Sequence, residues 1–253
     1  MITIKNKDAI YKMGRAGQLL AGIFNELIPL IVPGISTFEI DAFVEKRLRD
    51  NGLLSKMKGY MGYKHVSCVS INDEVVHGVP HRDSVLKNGD IVKVDVCASW
   101  KGYSADMARV FFVGDVKEEV RRLVAVGQSS LEKGIAQARA GNYLTDISAA
   151  IQKEVEANGF GVVRDFAGHG IGKQMHEDPE ILNYGVPGKG PLLKPGMTFA
   201  LEPMVTMGHY DVYVAKDGWT VRTVDTSMAV HVEDTVLITN NEPVVLTRLR
   251  EGI

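Results

Sequence analysis

Cysteine is nearly absent from this sequence: 253 residues contain two, Cys68 and Cys97. So sparse a pair gives neither a disulfide framework nor zinc-finger spacing, and it fits a reducing cytoplasm. Long apolar runs are missing as well. The longest strongly apolar stretch, Leu27 to Val32, is broken by Pro29, whereas a membrane-spanning helix needs about 20 such residues. The opening Met-Ile-Thr-Ile-Lys-Asn-Lys-Asp has charges where an export signal needs its apolar segment, so none is expected. Positive charge is not in excess: 29 Lys and Arg against 31 Asp and Glu leave −2. That balance argues against nucleic acid as the main ligand, because phosphate binding wants a basic surplus. There is no low-complexity segment and no evident linker. What remains, at 45% hydrophobic and 24% charged residues, is an ordinary globular composition with length enough for a substantial core.

The apolar pattern alternates between two textures. Residues 7–28 have helical spacing, with Ile10, Met13, Gly17, Leu20, Phe24 and Leu27 on one face. Pro33-Gly34 stops that helix. Ser36 and Glu39 then form a capping box, and a second helix buries Ile40, Val44 and Leu48 before Asn51-Gly52 ends it. Short β-type runs follow at 66–71, 90–98 and 103–113. Helix returns at 117–139 and 145–157, and β texture at 197–206, 211–216, 219–224 and 228–239. Asp217-Gly218 is a hairpin signal.

A scaffold repeats at an offset of 107 positions. Gly34, Ile40, Asn51 and Gly52 meet Gly141, Ile147, Asn158 and Gly159, and Leu86-Lys87-Asn88-Gly89 meets Leu193-Lys194-Pro195-Gly196. Six residues beyond each of the last two glycines stands a carboxylate, Asp95 and then Glu202. Two similar α-then-β halves, roughly 1–115 and 116–253 of a single domain, are expected to face each other, with a site between them.

Asp95 lies in Val-Lys-Val-Asp-Val-Cys and Asp106 in Tyr-Ser-Ala-Asp-Met-Ala, with Trp100-Lys101-Gly102 as a hairpin loop between them. A turn at Trp100-Lys101 puts the acids directly opposite; a turn at Lys101-Gly102 puts them on the diagonal of the same face; a three-residue loop would break that parity. Facing carboxylates repel, and burial makes unpaired charge costly. A bound cation would resolve both problems; solvated acids on an exposed face are the alternative. His169, in Ala-Gly-His-Gly, is a further donor, with His77 and His176 ambiguous beside it. Glu202 in Leu-Glu-Pro-Met and Glu233 in His231-Val-Glu-Asp-Thr put two more acids in apolar β runs. Oxygen-rich donors with one imidazole suit a hard or borderline divalent ion. Four carboxylates carry charge enough for two ions, with some acids bridging.

The ordered set Asp95, Asp106, His169, Glu202 and Glu233, with its surrounding words, resembles the type I methionine aminopeptidases. The matching stretches include Ser-Ile-Asn-Asp-Glu-Val-Val-His77-Gly-Val-Pro, Gly-His169-Gly-Ile-Gly, His176-Glu-Asp-Pro and Gly-Met-Thr-Phe-Ala-Leu-Glu202-Pro-Met, and the likeness covers essentially the whole chain. It is similar to the short form of that family, without an N-terminal zinc-binding extension. The resemblance implies an α+β pita-bread fold, two pseudo-symmetric halves around a curved antiparallel sheet. It also implies two divalent ions, cobalt, manganese, iron or zinc, with Asp95 chelating one, Asp106 and Glu233 bridging, and His169 and Glu202 completing the other shell. Glu202 would shuttle the proton, His77 and His176 would contact substrate, and Tyr60, Tyr63, Cys68, Met175 and Trp219 would line the methionine pocket. The implied substrate is a peptide or nascent chain beginning with Met and a small second residue, met near the ribosome by a cytoplasmic monomer.

This sequence departs from the family pattern at Met175, where an aromatic is usual, at Met57, where many bacterial members have cysteine, and in the neighbours of Asp106. A proline-directed relative of the same fold would carry an additional N-terminal domain, for which this length leaves no room. A non-catalytic peptide-binding module would have lost metal ligands that stand here.

Overall fold

The computed structural model describes residues 1–249. Helix α1 (Lys7–Leu27) starts at Asn6, whose side chain accepts from the Ala9 N–H. Helix α2 (Thr37–Asp50) begins with the expected reciprocal capping box between Ser36 and Glu39. Strands β1 (Leu54–Ser55), β2 (Cys68–Ile71), β3 (Glu74–Val76), β4 (Ile91–Trp100) and β5 (Tyr103–Phe112) follow. Then come helices α3 (Glu118–Gln137) and α4 (Leu144–Ala157), and strands β6 (Gly161–Val162), β7 (Ala167–Gly170), β8 (Glu177–Leu182), β9 (Thr198–Leu201) and β10 (Met204–Thr206). The last strands are β11 (Val212–Val214), β12 (Val221–Thr223), β13 (Ala229–His231), β14 (Glu233–Leu237) and β15 (Val244–Val245).

The main sheet has nine strands, with β1-β4-β5-β14-β9-β7-β8 in spatial order and β2 and β15 paired to β4 and β14. Its pairs are antiparallel. Two three-stranded sheets, β13-β10-β6 and β11-β12-β3, flank it. Among the described residues, the two largest apolar cores join helices to the sheet. Leu20 and Phe24 of α1 and Ile40 and Val44 of α2 pack with Val92, Val94 and Met107. Leu123 and Leu131 of α3 and Ile147 and Ile151 of α4 pack with Phe199, Leu201 and Val236. Each long helix buries one stripe, and that burial of apolar surface is what fixes the helices to the sheet.

The offset of 107 recurs in three dimensions. Both α2 and α4 have 14 residues, and each bound of one is 107 from that of the other. An isolated bridge joins Ser36 to Val85 and another joins Tyr143 to Leu192. Gly34 and Gly141 share left-handed φ values of 99° and 94°.

The β4–β5 hairpin closes at Lys101-Gly102, with φ of 47° and 81°. Positive φ at both central residues is the turn that matches strand twist. Trp100 therefore pairs with Tyr103, Cys97 with Asp106 and Asp95 with Ala108. Of the three loop geometries open from the sequence, the two-residue turn that sets the acids on the diagonal is realised.

Candidate active site

Five neighbouring strands of the main sheet deliver the acids and the imidazole. Asp95 comes from β4, Asp106 from β5, Glu233 from β14, and His169 from β7, while Glu202 follows β9 directly. In spatial order along the sheet the donors run Asp95, Asp106, Glu233, Glu202, His169, which is not their chain order. The glycines beside His169 have a packing cause. A Cβ at position 168 would sit 2.5 Å from the Ala200 carbonyl oxygen, and one at 170 would strike the Asp178 carbonyl. Only bare backbone lets β7 lie this close to β9 and β8.

The structure brings every residue singled out from the sequence to one cavity of about 110 Å³. His77, Asp95, Asp106, His169, His176, Glu202 and Glu233 line it together with Tyr60, Tyr63, Cys68, Met175 and Trp219, and Met57 and Cys97 complete the wall. The aromatic wall is ordered by contacts. Tyr63 packs on Trp219 with centroids 4.9 Å apart, and Tyr60 meets His176 edge-on at 5.4 Å, its hydroxyl 3.2 Å from Nδ1. His169 and His176 rings cross at 4.4 Å.

One ligand atom each from Asp106, His169 and Glu233 lies within 4.8 Å of the others. Nε2 of His169 is 4.0 Å from Asp106 Oδ2 and 3.4 Å from Glu202 Oε1. Asp106 Oδ1 and Glu233 Oε1 are buried with no hydrogen-bond partner. Buried carboxylate oxygens without partners are rare and costly, and a divalent cation is what this donor set fits. Burial drives the carboxylates toward their neutral form. It carries Glu202 up to about 8, and burial with the Glu202 charge takes Asp106 to about 7. Asp95 and Glu233 are pushed well up by burial and then by Asp106. Burial lowers His169, His77 and His231 each to about 4, so these imidazoles are neutral at physiological pH. His176 is also lowered by burial.

Glu233 faces this cavity while the next residue, Asp234, serves the opposite face. There Asp234 accepts from Arg109, Arg248 and the Thr247 hydroxyl at 2.6–2.9 Å and is fully buried. Two residues beside the site had no role from the sequence. Cys97 lines the wall because its strand position pairs with Asp106. His231 contacts Glu202 Oε2 at 3.4 Å; its place two residues before Glu233 in an alternating run was the available signal. Both cysteines are buried and free.

A buried cluster of acids and imidazole on a curled antiparallel sheet has the donors of a divalent-metal centre, and comparison with known proteins makes it that of a metallopeptidase. The model of metallopeptidase family M24 matches residues 11–240, and the chain belongs to that family. Within it the similarity is to methionine aminopeptidases. The methionine aminopeptidase of Clostridium acetobutylicum is 47% identical over 247 residues, covering 98% of this chain and 99% of that protein. Methionine aminopeptidase 1 of Bacillus subtilis is 43% identical, covering 98% and 100%. The crystal structure of methionine aminopeptidase from Thermotoga maritima superposes with a TM-score of 0.97 at 45% identity, covering 98% of this chain and all of that one. Prolidase from Pyrococcus furiosus, at 23% identity and TM-score 0.78, covers 98% of this chain and shares the fold. The architecture is thus the pita-bread fold expected from the sequence. Among the described residues no helix is long and apolar enough to cross a membrane.

Proposed function

We propose that the protein is a metal-dependent aminopeptidase that removes N-terminal methionine from peptides and nascent chains with a small second residue. One observation carries the reading: four carboxylates and an imidazole converge on a cavity walled by aromatic and sulfur-bearing side chains. Tyr60, Tyr63, Cys68, Met175 and Trp219 take the methionine side chain, whose thioether favours aromatic and soft neighbours. A bulky second residue would crowd the mouth, where His77 and His176 stand.

Two divalent ions fit the charge of the site, cobalt, manganese, iron and zinc all being compatible with its donors. Asp95 would chelate one, Asp106 and Glu233 would bridge, and His169 with Glu202 would complete the other. Ions held there supply Lewis acidity at the scissile carbonyl and make a water nucleophilic near neutral pH. Glu202 would accept a proton from the attacking water on a carboxylate oxygen and donate it to the leaving amine nitrogen. His77 and His176 act as neutral hydrogen-bonding groups, His77 on the substrate amide and His176 on the developing oxyanion. The chain acts as one catalytic domain of two halves, a monomer in the cytoplasm, on chains leaving the ribosome.

The test is mass spectrometry of a Met-Gly-starting peptide incubated with the protein and each candidate metal, with and without chelator. Loss of one methionine residue that chelator abolishes is the expected result. No release with any metal, or preferential cleavage of an Xaa-Pro peptide, overturns the reading.

A further inference from the structure

The segment between Ser55 and Cys68 carries two walls of the cavity, Tyr60 and Tyr63, on a chain of turns rather than on a long strand or helix. Its backbone is left-handed at Gly59 (φ 93°), Met61 (φ 47°) and Gly62 (φ 87°), and a side chain disfavours that conformation. Met61 is 81% exposed and anchors nothing. Short turns, such as Tyr63 N–H to the Tyr60 carbonyl at 2.8 Å, bind the segment to itself.

Lys56 N–H donates to the Cys97 carbonyl at 2.9 Å and Lys58 pairs with Glu45, which ties the start of the segment to β4 and α2; its end is tied to α2 by one buried carboxylate. Asp41, on α2 and 5% exposed, does not line the cavity. Oδ1 accepts from the backbone N–H groups of Val66 and Ser67, each at 3.0 Å, and from the Ser67 hydroxyl at 2.8 Å. Oδ2 lies 2.9 Å from Nδ1 of His65. Hydrogen bonds to an ionised acceptor are the strong kind, and here all of them fall on residues 65–67. Those residues hold Tyr63 directly. The His65 ring meets the Tyr63 ring at 5.8 Å, and the Tyr63 hydroxyl donates to the Ser67 carbonyl at 2.9 Å. On its other side His65 abuts Phe38, also from α2, at 6.4 Å. The chain of contact therefore runs from helix, through carboxylate and imidazole, to the aromatic wall that packs on Trp219.

We infer that Asp41, acting through His65 and Ser67, is a positioning residue that sets the width of the side-chain cavity. It thereby fixes discrimination between methionine and other N-terminal residues. The inference rests on the aminopeptidase reading above. A hydrophobic pocket discriminates by fit to within a methylene group, so a wall free to drift loses selectivity before it loses chemistry.

The test compares wild type with Asp41→Ala, Asp41→Asn and His65→Ala. Steady-state kinetics on Met-Gly and Leu-Gly peptides give the ratio of kcat/KM, and trypsin cleavage at Lys58 and Lys64 in the folded full-length protein reports on the loop. The methionine preference should fall by roughly tenfold in Asp41→Ala, chiefly through KM. It should fall less in His65→Ala, and be largely retained in Asp41→Asn, whose amide oxygen still accepts from Val66 and Ser67. Both alanine variants should be cleaved faster than wild type. A merely structural role would lower turnover of both peptides equally and leave their ratio fixed; that result overturns the inference, as does unchanged cleavage. His65→Ala, at a partly exposed position, serves should Asp41→Ala fail to fold. The cleavage arm needs no turnover, so failure of the aminopeptidase reading is seen separately, as wild type releasing no methionine.

Discussion

Nε2 of His231 stands 3.4 Å from Oε2 of Glu202, buried and outside hydrogen-bonding geometry. The other oxygen of the same carboxylate lies 3.4 Å from Nε2 of His169. Glu202 is thus caught between two imidazoles that burial keeps neutral. Neither supplies a positive charge, so nothing among these neighbours opposes the upward drift of the glutamate.

That arrangement makes Glu202 the group to test first. Glu202→Gln should fold normally, because the amide is nearly isosteric and remains able to meet both imidazoles. Turnover should drop by about 10²–10⁴-fold, the usual cost of losing a general base. Circular dichroism and peptide mass spectrometry check the two halves of this expectation. Wild-type turnover at saturating metal would end the assignment.

The imidazoles should separate by metal content. His169→Ala should lose bound metal after desalting, whereas His77→Ala and His176→Ala should keep it and lose activity. Elemental analysis of the three variants decides the matter. Equal metal loss in all three would show the proposed division between ligand and substrate-facing imidazoles to be wrong.

The carboxylates predict how stability responds to pH. Without metal, burial raises Asp106 from 3.8 to about 7 and Glu202 from 4.5 to about 8. The folded state then holds protons that the unfolded chain releases from about pH 4 upward. Their contribution to stability is full below that range and is lost as pH rises through 7 to 8. Divalent ions bind the deprotonated form and stabilise only the folded chain. Added Mn²⁺ or Co²⁺ should therefore raise Tm more at pH 8 than at pH 6. Asp106→Asn should show much less of that gain. Thermal melts with and without metal at both pH values test this, and a metal-independent Tm in wild type would refute the carboxylate centre.

Gly170→Ala should disturb the centre without touching a ligand. A methyl there collides with the Asp178 carbonyl, and Glu177 O lies only 3.0 Å away. Backbone cannot step aside as a side chain can, so a loss of about 1–3 kcal/mol is expected, as for overpacked cores. Reduced metal content should accompany it. Urea unfolding gives the first quantity and elemental analysis the second; wild-type values for both would show that β7 has slack.

The sequence made the helices plain because each carries a strong apolar stripe, and α2 also carries chemical end signals, Ser36-Glu39 at its start and Asn51-Gly52 at its end. The hairpin acids were equally legible, since period-two alternation puts Asp95 and Asp106 on one face for either two-residue turn. Strand β7 was not. Ala-Gly-His-Gly has no alternation and no branched side chain, and its strand geometry comes from lying between β8 and β9. Strand β8 was hidden by the polar Glu-Asp-Pro-Glu that opens it. The 197–206 run divides into β9 and β10 around Glu202-Pro203, and 228–239 divides at Val232. In both, the chain leaves one sheet for another, a tertiary decision that local propensity cannot encode. The sequence pointed to the cavity residues through the family likeness, while Asp41 gave no signal because its partners are 24 to 26 residues away.

Adjacent acids on β14 look to opposite sides of the sheet, Glu233 to the cavity and Asp234 to a pair of arginines. A slip of one position along β5 and β9 would exchange them. Asp234 would then enter the cavity without its cations, and Glu233 would be left facing Arg109 and Arg248. The two environments are not interchangeable, because one supplies fixed guanidinium charge and the other supplies none until an ion arrives. Without metal, the correct alignment is marked on the arginine side by the fit of the shorter Asp234 carboxylate, which also accepts from the Thr247 hydroxyl at 2.7 Å. Metal uptake, in turn, becomes a readout of strand alignment: a chain folded one step out of register would retain its secondary structure and its helices, yet fail to load.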